Sequence, residues 1–67
     1  MTSYKRVGEK IRKIRKQKGL TQEQLAELAK IEPRSIVDIE GGKRNPTLKT
    51  LNKIVKALET KLAELIS

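Results

Sequence analysis

Residues 21–40 read TQEQLAELAKIEPRSIVDIE, and this stretch decides the fold. Thr21 with Gln24 three residues later is the T-x-x-Q pattern of a capping box. In that pattern a hydroxyl and an amide satisfy backbone donors that a helix start leaves open. A helix therefore begins at Thr21, with Leu25, Leu28 and Ala29 as its expected inward face. Pro33 fits the first position of a following helix, where its missing N–H has no intrahelical partner to lose. Glu32 is then the cap residue. Its charge suits the positive end of a helix dipole, although its side chain caps less well than Ser or Thr. Ile36 and Ile39 form the buried face of this second helix, and Gly41-Gly42 ends it. The turn between the two covers about Lys30 to Glu32. Two short helices packed at a steep angle need a small side chain at their crossing, and Ala26 sits one turn into the first of them.

The flanking segments continue the helical pattern. Upstream, Val7, Ile11 and Ile14 fall at i, i+4 and i+7, one apolar stripe surrounded by Lys and Arg. Ser3 or Thr2 caps that first helix, and Gly19 suits the position just past its end. Downstream, Pro46 and Thr47 restart the chain. Leu48, Leu51, Ile54, Val55 and Leu58 then line a fourth helix, and Leu62, Leu65 and Ile66 a short fifth. Val37 favours strands by intrinsic propensity, which the helical context overrides. The expected architecture is all-α, with five helices in one domain spanning residues 1–67. No repeat, linker or low-complexity run interrupts it.

Composition narrows the function classes. The 67 residues carry 16 Lys plus Arg against 8 Asp plus Glu, a net charge of +8. The excess is uneven. Residues 1–18 hold a net of +7, residues 19–40 a net of −3, and residues 41–67 a net of +4. With no Cys, disulfides, thiolate metal sites and cysteine nucleophiles drop out. With no His, the usual general base near neutral pH and most metal sites drop out too. No serine then has a histidine to activate it, and the lysines form no visible second-site constellation, so neither a catalytic residue nor a cofactor is expected. Tyr4 is the one aromatic residue, too few for a platform that stacks single-stranded bases. No apolar run is long enough to span a membrane or form a signal-peptide core. The expectation is a cytoplasmic, nucleoid-associated, basic binding module.

A helix, a tight turn and a second helix over residues 21–40 is the layout of a helix-turn-helix, whose second helix enters the DNA major groove. The chain resembles the Cro/cI-type (XRE-like) helix-turn-helix regulators. The resemblance rests on Gly8-Glu9-Lys10-Ile11-Arg12, the run from Gly19 to Glu27, Ile39-Glu40, and Gly42-Lys43-Arg44-Asn45-Pro46-Thr47-Leu48. It covers about residues 6–66 and implies a five-helix, lambda-repressor-like DNA-binding domain. It further implies a transcriptional regulator of the repressor type, acting as a homodimer on a palindromic duplex operator. The helix 4–5 stripe is the expected dimer contact.

The resemblance also implies roles residue by residue. Pro33, Arg34, Val37 and Asp38 occupy the base-reading positions of the recognition helix, about residues 33–40. Gln22, Ser35, Lys43, Arg44 and Asn45 match positions that hold the DNA backbone. Arg15 and Glu40 match an ion pair that ties helix 1 to helix 3. Lys30 stands where the family commonly has Gly. From the residues themselves, Arg34 suits a bidentate contact to guanine, while an i,i+4 pair with Asp38 is the plainer reading, and one arginine can do both. Asp38 either accepts from cytosine or orients Arg34, and Val37 meets a thymine methyl or is simply an exposed aliphatic. The alternative to a regulator is a protein-interaction module on the same fold, such as an antitoxin-type or adaptor domain. Its support is the acidic balance of residues 19–40.

Overall fold

The capping box expected at Thr21 is formed in the computed structural model, which describes residues 3–66. Thr21 Oγ1 accepts from the Gln24 N–H at 3.0 Å, and Gln24 Oε1 accepts from the Thr21 N–H at 2.9 Å. The described residues form five helices: α1 (Tyr4–Gln17), α2 (Gln22–Ala29), α3 (Pro33–Glu40), α4 (Leu48–Leu58) and α5 (Leu62–Ile66). Ser3 caps α1 by accepting from the Arg6 N–H at 3.2 Å. The other candidate, Thr2, lies outside the described residues. Thr47 caps α4 in the same way, accepting from the Thr50 N–H. Pro33 occupies the first turn of α3 after Glu32, whose side chain makes no capping hydrogen bond, as its type suggests.

The core draws on every helix. Ile11, Leu25, Ile36, Ile39, Ile54, Leu58 and Leu65 are fully buried. Ala26 is buried, and α2 packs against α3. Burial of this kind supplies most of the driving force, because eight-residue helices such as α2 and α3 are not stable alone.

Three expected core positions need correction. Leu28 is 55% exposed and Leu48 61% exposed, and Ile66 is also largely solvent-facing. Each lies at the edge of its helix's apolar stripe, where coverage depends on whether a neighbouring helix reaches that far. Here Leu25, Ala26 and Ala29 are the buried residues of α2, and Leu51, Ile54, Val55 and Leu58 those of α4.

Two glycines set how α1 sits on α3. A Cβ at Gly8 would collide with the carbonyl oxygen of Ile39, with the Ile39 carbonyl carbon 3.1 Å and the Glu40 Cα 3.2 Å away. Only glycine lets the two backbones come this close. Gly42, at φ +72°, turns the chain after α3 and lies against the side chain of Lys5. The end of α3 and the turn after it are therefore wedged against α1. At the other junction, Lys30 adopts the left-handed conformation (φ 58°, ψ 47°) that closes α2. A residue with a Cβ is strained there by about 1 kcal/mol.

Candidate nucleic-acid interface

The surface that α3 presents is built on an internal clamp. Arg15 and Glu40, both buried, form a two-pronged ion pair: Nε donates to Oε2 at 2.7 Å and Nη2 to Oε1 at 3.0 Å. The remaining nitrogen of Arg15, Nη1, donates to the Leu20 carbonyl at 2.7 Å. The expected pair between helix 1 and helix 3 is thus present. It also fastens the loop before α2, since Leu20 immediately precedes Thr21. A paired guanidinium and carboxylate satisfy one another with little left over, which fits the lack of orphaned side-chain polar atoms among the described residues.

Sequence reasoning missed the third member of this clamp. Gln22 is half-buried, and its Nε2 donates to Glu40 Oε1 at 3.2 Å across 18 residues of chain. The residue expected at the DNA backbone is therefore first an internal tie between the start of α2 and the end of α3. Gln22 also lines the cleft between α1, α2 and α3.

The outer side of α3 is uncovered. Pro33, Arg34 and Val37 are exposed, and Ser35 and Asp38 are half-buried along one edge. Arg34 Nε lies 3.3 Å from Asp38 Oδ1, the i,i+4 pair expected from their spacing, with the Arg34 side chain 82% exposed. The second oxygen of Asp38 faces Arg44 Nη2 at 3.7 Å, and Arg44 Nη1 donates to Ser35 Oγ at 2.7 Å. One carboxylate thus sits between two guanidinium groups, and the loop after α3 is tied back onto the helix. Individually such exposed pairs contribute little to stability, so their consequence is positional. Asp38 offsets local positive charge, but it holds both arginines at the outer face of α3. Lys43 and Asn45 stand exposed beside Arg44. The Lys43 N–H donates to the Asp38 carbonyl at 2.9 Å, which fixes where that loop leaves the helix.

The base-reading candidates of the sequence are therefore gathered on one outward face. The backbone candidates frame it, with Ser35, Lys43, Arg44 and Asn45 along one edge and Gln22 beside the other. Among the described residues no group of acidic side chains is arranged to hold a metal ion, and no helix is long and apolar enough to cross a membrane.

A two-helix unit that buries one side of its second helix and displays the other defines a helix-turn-helix. A family model described as helix-turn-helix matches residues 11–65. The chain belongs to this family of XRE-type, DNA-binding transcriptional regulators. It is 40% identical over 60 residues to the immunity repressor protein of Bacillus phage phi105, covering 90% of this chain but only 42% of that one. It is 38% identical over 61 residues to the control protein C.SmaI of Serratia marcescens, covering 91% of this chain and 73% of the relative. Among solved structures, the restriction-modification controller protein C.AhdI of Aeromonas hydrophila superposes with a TM-score of 0.90. That match has 34% identity and covers 92% of this chain and 94% of the controller.

Proposed function

We propose that this regulator binds a specific duplex by laying α3 in the major groove, with Arg34 reading base edges. Val37 and Asp38 stand beside Arg34 on the same surface, and Pro33 leads the helix into the groove. Gln22, Ser35, Lys43, Arg44 and Asn45 hold phosphates and fix register, a task that carries no sequence information by itself. The observation that carries this reading is the uncovered outer face of α3. Its one protruding guanidinium is oriented by a carboxylate that Arg44 also engages.

The molecule measures 29 × 21 × 20 Å along its principal axes. That is shorter than the spacing of about 34–36 Å between successive major grooves on one face of B-DNA. A single copy therefore addresses one half-site, and a palindromic operator calls for two. Exposed Leu48 on α4 and Ile66 on α5 supply apolar surface for an isologous contact, which supports a homodimer through these helices.

The test is selection of bound duplexes from a random pool, followed by a salt titration on the winner. About 6–8 phosphate contacts per bound unit give a slope of log affinity on log salt of about −5 to −7. A flat salt response, or no binding to any duplex at low salt, contradicts the proposal and favours a protein partner instead.

A further inference from the structure

The cleft between α1, the start of α2 and the end of α3 holds a cation that the reading above leaves unused. Arg12 lines it together with Gln22, Val37, Glu40 and Gly41. Its neighbours' charges cancel, because Glu40 is committed to Arg15 and Gln22. Arg15 in turn donates from each of its three side-chain nitrogens to Glu40 or Leu20. Arg12 is exposed, and among the described residues its side chain makes no hydrogen bond or ion pair. It is therefore the uncompensated charge of the cleft.

Its placement relative to α3 is specific. By helical periodicity, Ser35 and Asp38 fall to one side of Arg34, and these are the residues that Arg44 engages. Val37 and Gly41 fall to the other side, and these line the cleft with Arg12. A helix in a major groove lies between two phosphate strands. Arg44 and Lys43 serve one flank, whereas residues 19–40 carry a net of −3 and offer the other flank only the neutral Gln22. We infer that Arg12 is the backbone anchor of that second flank, contacting a DNA phosphate at the mouth of the cleft. A planar, always-charged guanidinium suits a phosphate, and α1 is locked to α3 through Gly8 and Arg15, so the anchor and the reading helix move as one body. The inference rests on α3 being the groove-entering helix.

The experiment uses the full chain with the selected duplex and an unrelated duplex, measured by fluorescence anisotropy between 50 and 200 mM salt. The variants are Arg12→Gln, Arg12→Lys and Lys13→Gln. Lys13 is the control, an exposed cation of α1 that lines other surface clefts and not the one Arg12 lines. Losing one phosphate contact makes the slope shallower by about 0.9, so across this salt range wild type loses about 3.5-fold more affinity than Arg12→Gln. The loss is equal on both duplexes, Arg12→Lys keeps the wild-type slope, and Lys13→Gln leaves it unchanged. Thermal melts of all three variants match wild type. Equal slopes for Arg12→Gln and Lys13→Gln overturn the assignment by reducing it to net charge. Loss on the selected duplex alone overturns it by making Arg12 a base reader. If wild type itself binds neither duplex, the groove reading fails first and this anchor with it.

Discussion

Replacing Gly8 by Ala separates local propensity from tertiary packing, because the two act with opposite sign. In an isolated helix the change is favourable by about 1 kcal/mol, since alanine is the better helix former. In this protein the new Cβ has no space. It meets the Ile39 carbonyl oxygen, with further backbone atoms at 3.1 and 3.2 Å. None of these is the end of a flexible side chain, so relief requires α1 to lift from α3 as a unit. Overpacking typically costs about 1–3 kcal/mol, and a backbone obstacle belongs at the upper end of that range. Against the propensity gain, the net loss is about 1–2 kcal/mol. In a domain of this size that lowers the melting temperature by about 5–15 °C. The lift also stretches the clamp between Arg15 and Glu40, so duplex affinity falls along with stability. Melting followed by circular dichroism, with and without the selected duplex, reads both effects. A melting temperature equal to or above wild type would refute the close-approach argument and with it the account of how α1 orients α3.

Further outcomes follow from the same geometry. Arg34→Ala abolishes the preference for the selected duplex by about 1–3 kcal/mol while binding to unrelated duplexes changes little; unchanged preference in competition titrations would remove Arg34 as the reader. Glu40→Ala strands Arg15 and destabilises by about 3–5 kcal/mol, whereas replacing both residues by apolar ones of similar size recovers most of that loss; denaturant unfolding of the single and double variants checks the difference. Lys30→Gly relieves the left-handed backbone after α2 and raises stability by about 1 kcal/mol, visible as a higher melting temperature. Leu25→Ala costs about 2–5 kcal/mol as a core truncation, but Leu28→Ser stays within about 0.5 kcal/mol because Leu28 is already solvent-facing; a large loss at Leu28 would place it back in the core.

Much of this protein was determined by local chemistry alone. The capping box at Thr21 and Gln24, the caps at Ser3 and Thr47, Pro33 in the first turn of α3 and the apolar periodicity all involve residues within one or two turns of each other. Their physics is complete without knowing where the rest of the chain goes, which is why five helices were readable in order. The pair of Arg34 with Asp38 was readable for the same reason, being four residues apart on one helix. Arg15 with Glu40 spans 25 residues and was expected only through the family resemblance.

Only the tertiary structure decided the remainder. Leu28 and Leu48 match the apolar period as well as Leu25 and Leu51 do, yet coverage at the edge of a stripe depends on a neighbour's reach. Gln22 turned inward to Glu40, Arg44 folded back on Ser35 and Asp38, and the Arg12 side chain was left lining a cleft with no ion-pair partner among the described residues. Each of these depends on how α1, α2, α3 and the following loop are juxtaposed. Helix formation is short-range and written in spacing; which polar atoms meet across helices is set by the packing of backbones, here by the absence of a single methyl group at Gly8.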